Sequence, residues 1–217
     1  MQSVTDRLAH VLWIGGGPCA GKTTLSRLLA GTYDLRIYNL DWHYAREDRF
    51  RGGPAARWWG GHTMDERWVD ITADELLERS TACWNEQFPV AVDQLLAMPA
   101  SRGVVVEGPG AAPWLVAPVI RDSRQAIFLV PDETLRNRVV VDRERRGTSV
   151  AYGTTRDPER ARSNHRERDR RWNSRIEMSC RELGLRSVRM DDPLDLDASL
   201  ALVEGHFAPR LPTVLNV

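Results

Sequence analysis

Residues 16–23 read Gly-Gly-Pro-Cys-Ala-Gly-Lys-Thr, the spacing G-x-x-x-x-G-K-[ST], and that stretch constrains the fold more than any other. The apolar run His10–Ile14 precedes it and reads as a buried strand. Gly21–Gly31 follows as a helical pattern closed by glycine. A glycine turn between a strand and a helix has a specific use. Its backbone N–H groups can converge on phosphate oxygens, and the helix N-terminus adds free donors and a favourable dipole. Lys22 would bring a compact positive charge to the β- and γ-phosphates, and the Thr23 hydroxyl would ligate Mg²⁺. The nucleotide-binding set is therefore expected to be Gly16, Gly17, Pro18, Cys19, Ala20, Gly21, Lys22, Thr23 and Thr24. A chance match in a glycine turn is the competing reading, and the strand–loop–helix setting argues against it.

Composition adds one sharp fact. The 217-residue chain has 30 basic and 30 acidic side chains, and Lys22 is its only lysine. Nothing about a fold demands 29 arginines to one lysine, so a coding bias explains the ratio. The surviving lysine stands at the one motif position that needs a compact ammonium. Zero net charge argues against general attraction to nucleic acid or an anionic membrane, although a local patch stays possible in principle. Cys19, Cys83 and Cys180 are odd in number and far apart, so neither a disulfide framework nor a CxxC metal pattern follows, and a reducing cytoplasm is expected. Ala111–Ile120, the longest mostly apolar stretch, is too short to span a bilayer and contains two prolines.

Strand-like and helix-like segments alternate along the rest of the chain. Leu35–Leu40, Gly103–Val106, Ala126–Val130 and Leu185–Met190 read as further strands. Thr72–Met98 reads as two helices broken at Pro89. Asp132–Arg146, Glu159–Leu183 and Leu194–Phe207 also read as helices, while Tyr44–Gly61 reads as irregular. The expected fold is α/β: a three-layer P-loop NTPase fold with a five-stranded parallel sheet, helices on both faces and a small lid. One domain is expected over 1–217, with an acceptor-binding insertion at about 42–72 and a lid at about 147–158.

A GTPase would carry an N-K-x-D motif, which a chain with Lys22 as its sole lysine cannot have. With Asp41 after the second strand, Glu107 closing the third, and Val130-Pro131-Asp132-Glu133 followed by Arg138, the chain resembles the adenylate-kinase-like P-loop kinases. That group includes shikimate and gluconate kinases, chloramphenicol phosphotransferase and the zeta toxins. The resemblance implies ATP as donor, with GTP also compatible, Mg²⁺ as metal, and a small-molecule acceptor. It implies Asp41 as the base that deprotonates the accepting hydroxyl, where the competing reading is a turn or helix-cap aspartate. Glu107 would hold Mg²⁺ through water, alongside Thr23, and would border the acceptor. Arg143 and Arg146 are the expected catalytic lid cations. Arg138 is expected near the adenine, and Arg156 on the substrate side of the lid.

Trp42 and His43 are expected to help bind the acceptor, in a region that also holds Tyr44, Trp58, Trp59, His62 and Trp68 among Arg46, Arg49, Arg51 and Arg57. Aromatics with arginines suit a planar or anionic acceptor, although any one tryptophan more often only packs. Trp84, Trp114 and Trp172 are expected in the core. The leading expectation is an ATP/Mg²⁺-dependent kinase acting on a hydroxyl of a nucleoside, metabolite or antibiotic. A nucleotide-binding regulatory or toxin-like module is the first alternative. A polynucleotide 5′-kinase using the Arg-rich segment 156–175 is the second. Nothing in the sequence sets an oligomeric state.

Overall fold

The computed structural model describes residues 2–46, 51–148 and 152–212. Arg49 and positions 149–151 of the expected lid lie outside the described residues. The chain begins with a helical turn α1 (Val4–Arg7), the strand β1 (Val11–Gly16) and the helix α2 (Lys22–Tyr33). Next come β2 (Arg36–Asn39), α3 (Leu40–Ala45), α4 (Pro54–Gly61), α5 (Met64–Trp68) and α6 (Ala73–Ala97). Strand β3 (Val104–Glu107), α7 (Pro113–Val116), β4 (Ala126–Pro131) and α8 (Glu133–Arg145) follow. The chain then runs through α9 (Pro158–Glu182), β5 (Arg186–Met190) and α10 (Leu196–Phe207).

Among the described residues the five strands form one parallel sheet in the order β2-β3-β1-β4-β5. The central strands β1, β3 and β4 are buried throughout, as unbroken apolar runs in a parallel sheet must be. Successive side chains on a strand point to opposite faces, which splits the core in two. Val11, Trp13, Val104, Val106 and Phe128 meet Phe88, Leu95, Trp172 and Ile176 of α6 and α9. Leu12, Ile14, Val105, Ile127 and Leu129 meet Leu25 and Leu29 of α2 and Val203 and Phe207 of α10 on the other face. This is the expected three-layer α/β arrangement. Trp172 is fully buried as expected, while Trp84 and Trp114 are partly buried against the same cluster.

Three local expectations need correction. Thr72–Met98 is one helix, not two, with Pro89 inside it. Proline leaves the carbonyl four residues back without its helical partner, but Pro89 and Asn85 are both exposed, so water can serve that carbonyl. Buried Phe88, Ala91 and Leu95 hold the core face continuous across the interruption. Within the segment read as irregular, Pro54–Gly61 forms α4, started by proline in its first turn. Gly31 does not close α2. The helix runs on to Tyr33 and ends at Asp34 in the left-handed conformation, φ 51°.

Candidate active site

The ends of β1, β2 and β3 bring the chemistry together at the carboxyl edge of the sheet, where open α/β sheets bind ligands. In register, Asn39 stands opposite Glu107, and Glu107 opposite Ile14, so Glu107 lies beside the strand that feeds the glycine loop. The loop itself is held by backbone. Gly16 has φ 113°, and a Cβ there would sit 2.1 Å from the Leu129 carbonyl oxygen, so no other residue fits. The Gly17 amide donates to that same carbonyl at 2.8 Å. Cys19 at φ 67° and Gly21 at φ 81° are both left-handed, which turns the chain sharply into α2. No side chain caps α2, so the first-turn amides have no partner within the helix and remain for a ligand.

Lys22 is buried, and its Nζ donates to the Gly17 carbonyl at 2.5 Å. Burial pushes its ammonium below the usual lysine range, while Glu107 and Asp41 nearby pull it back up. Thr23 Oγ1 donates to the Glu107 carboxylate, at 3.0 Å to Oε1 and 3.2 Å to Oε2. The Asn39 amide donates to Glu107 as well, and Asn39 Oδ1 accepts from the Trp42 amide at 2.6 Å, capping α3. A hydroxyl and a buried carboxylate of hard oxygen character, side by side at the loop, fit Mg²⁺ held partly by water. No group of three or more His, Cys, Asp or Glu placed to hold a metal occurs among the described residues.

The second strand stops at Asn39 rather than at the expected Leu40, because Asn39 caps α3, so Asp41 lies in the first turn of that helix instead of at a strand end. Asp41 is solvent-exposed and lines a cavity of about 580 Å³. Desolvation by the protein atoms around the carboxyl raises its pKa; Lys22 lowers it, Glu107 raises it, and Arg168 and Arg143 lower it, for a net value of about 6. The cavity is lined by residues of five helices: Tyr44 and Ala45 with Asp41, Ala56, Trp59 and Gly60 of α4, Arg67 and Trp68 of α5, Ser80, Cys83, Trp84 and Gln87 of α6, and Arg168 of α9. The expected insertion therefore contributes three of its five walls.

The other expected residues are distributed unevenly. Arg143, exposed in the last turn of α8, is close enough to bear on the charges of Cys19, Lys22 and Asp41. Arg146 is exposed at the C-terminal cap of the same helix. Arg138 pairs with Asp192 at 2.5 Å, beside the loop whose Leu194 side chain approaches Gly21. Arg156 lies on the surface, bonded to Asp70 through its guanidinium and to Asp65 through its amide at 2.8 Å, and does not line the cavity. Trp42 is exposed, with Arg46 over its ring at 5.6 Å, and the His43 ring stacks on Tyr38 at 4.0 Å. Neither lines the cavity, although both share a helix with Asp41.

Sequence reasoning missed Arg168, Asp169 and Arg136. Asp169 is buried on α9, accepts from Arg136 at 3.1 and 2.8 Å, and pairs with Arg168 at 3.0 Å. Burial alone would raise its pKa, but Arg168, His165 and Arg136 together hold it below the usual carboxylate range. His165 lies 3.5 Å from the same carboxylate and bonds the Tyr152 hydroxyl, and burial drives its pKa down to about 3, so it is neutral. The signal existed: Arg168, Trp172 and Ile176 recur at fourfold spacing on one face of α9.

No family model matches the chain, and no curated protein does. Solved structures do resemble it in fold. A shikimate kinase from Acinetobacter baumannii in complex with shikimate is 14% identical, with a TM-score of 0.49, covering 93% of this chain and 95% of its own. A thymidylate kinase from Candida albicans is 12% identical at a TM-score of 0.47, covering 92% and 91%. An uncharacterised protein from Eubacterium ventriosum is 13% identical at 0.43, covering 92% and 99%. These are likenesses of fold. No helix among the described residues is long and apolar enough to cross a membrane.

Proposed function

We propose that this protein is an ATP- and Mg²⁺-dependent phosphotransferase that moves the γ-phosphoryl group onto a hydroxyl of a small molecule held in the cavity. One observation carries this reading. The Asp41 carboxylate lines the acceptor-sized cavity and also lies within electrostatic reach of Lys22 and Glu107, so it bridges the two halves of the site. A general base needs that position first and a suitable pKa second, and a value of about 6 leaves it mostly ionised near neutrality. A cavity of about 580 Å³ is in the size range of small-molecule sites.

In this mechanism Asp41 takes the proton of the acceptor hydroxyl. The freed oxygen attacks the γ-phosphorus as the bond to the β-phosphate breaks. The loop amides and Lys22 hold the phosphate chain, and Arg143 offsets charge that builds up on the transferring group. Thr23 and, through water, Glu107 would hold Mg²⁺, which when bound neutralises phosphate charge. Arg138 is the proposed neighbour of the adenine and Arg146 a second lid cation. The surface pair of Arg156 with Asp70 favours a tethering role for Arg156 over acceptor binding.

ADP release from ATP is the test, run over a panel of nucleosides, nucleotides, sugars, hydroxy acids and antibiotics. At least one acceptor should raise turnover well above the acceptor-free rate. ATP turnover indifferent to every acceptor would contradict the proposal.

A further inference from the structure

Most arginines of α9 are solvated, but Arg168 is only 6% exposed and sits in the cavity wall. We propose that the cavity takes a ring-bearing alcohol carrying a negative charge, a carboxylate or a phosphate monoester, and that Arg168 binds that charge. This rests on, and narrows, the acceptor role given to the cavity above.

Charge arithmetic supports it first. Two buried guanidiniums, Arg136 and Arg168, share the single carboxylate of Asp169. Neutral His165, the other titratable group against Asp169, changes nothing in that count. Among the described residues the lining holds two cations, Arg67 and Arg168, and one acid, Asp41. A buried cation with a shared counter-ion is costly, and an incoming anion offsets that cost. Arg168 has donors to give: Nε lies 3.0 Å from Asp169 Oδ1 as an ion pair without a hydrogen bond, and Nη1 donates to Ser80 Oγ at 3.5 Å, out of five N–H groups on the fork.

The rings come second. The Arg168 guanidinium lies 5.9 Å from the ring centres of both Trp68 and Trp84, and Trp59 meets Trp68 edge to face at 5.6 Å. All three tryptophans line the cavity, so the cation is set among flat apolar faces. Such walls suit a planar ligand body and strengthen an ion pair by keeping water away. Asp41 lines the same cavity, so one ligand can offer its hydroxyl to Asp41 and its charge to Arg168.

Binding is read by tryptophan fluorescence, since Trp59, Trp68 and Trp84 line the site, with the phosphate loop saturated by a non-hydrolysable ATP analogue and Mg²⁺. The probes are 4-hydroxybenzoate, phenyl phosphate and neutral 4-hydroxybenzamide. At least one anionic probe should bind about tenfold or more tighter than the amide; which anion wins separates carboxylate from phosphate. Arg168→Gln should erase the preference and Arg168→Lys should keep part of it. Arg121→Gln, a surface pair with Asp6, should leave it unchanged. Equal or tighter binding of the amide, no binding of any probe, or a preference that survives Arg168→Gln overturns the proposal. If Arg168→Gln does not fold, the wild-type comparison and Arg168→Lys decide. Anion binding without acceptor-dependent ATP turnover would instead contradict the kinase role and leave the anion site standing.

Discussion

The glycine loop and the cavity proposed for the acceptor come together near Asp41 but are made differently. The loop takes its shape from backbone: Gly16, Cys19 and Gly21 in left-handed conformations, the Gly17 amide bonded to the Leu129 carbonyl, and one lysine folded back on a loop carbonyl. The cavity takes its shape from side chains that five helices deliver from positions as distant as Asp41 and Arg168. A backbone-held site tolerates almost no added atoms, whereas a site walled by side chains can be refitted one residue at a time. The first should therefore break abruptly on substitution, and the second should shift its preference.

Lys22→Ala should show the largest effect. Phosphoryl transfer should fall by roughly 10²–10³-fold, and Lys22→Arg should not restore it, because a planar fork does not fit a pocket shaped for an ammonium. Steady-state ADP release checks this, and near-normal rates in Lys22→Ala would remove the loop from the mechanism. Gly16→Ala should come next. The new methyl would meet the Leu129 carbonyl oxygen in a backbone conformation that alanine resists, destabilising the fold by roughly 2–4 kcal/mol. A thermal melt with and without ATP reads both that loss and the loss of nucleotide binding.

The contrast between the halves also explains what the sequence could and could not disclose. The loop's shape is local, so nine consecutive residues sufficed to expect it, and the alternating apolar runs gave all five strands and their parallel arrangement. Asp41 was legible by its place after β2, though the Asn39 cap moves it onto a helix. Glu107 was legible as the acid that ends β3. The cavity was not legible in the same way, because its walls are far apart in sequence. Trp42 and His43 looked suitable by type and proximity, yet the same helix turns Tyr44 and Ala45 to the lining instead. Arg168 was hidden in a run of arginines where most face solvent, and only its helical phase with Trp172 marked it. Pro89 misled because proline was weighed locally, while the buried face of α6 continues on either side of it.

Two smaller effects sharpen the comparison. With a pKa of about 6, Asp41 is protonated below that pH and cannot accept the hydroxyl proton. Transfer should therefore rise with pH up to about 6 and level off above it, by up to tenfold per pH unit on the rising limb. A rate profile at saturating ATP checks this; a flat profile through that range would separate Asp41 from the rate. The smallest effect belongs to Arg156→Gln. The exposed pair with Asp70 is screened by water, so the melting temperature and ATP affinity should scarcely move. A large loss of transfer with unchanged stability would instead return Arg156 to the acceptor side of the site.

Asp41 lines the cavity and lies within electrostatic reach of Lys22, so Asp41→Asn tests the account most directly. ATP affinity and acceptor-dependent transfer should be measured on the same preparation. Nucleotide binding should persist while transfer falls by roughly 10²–10⁴-fold, because the amide keeps the shape and cannot take the proton. Transfer at the wild-type rate with ATP binding intact would contradict the claim that this carboxylate joins the phosphate loop to the acceptor.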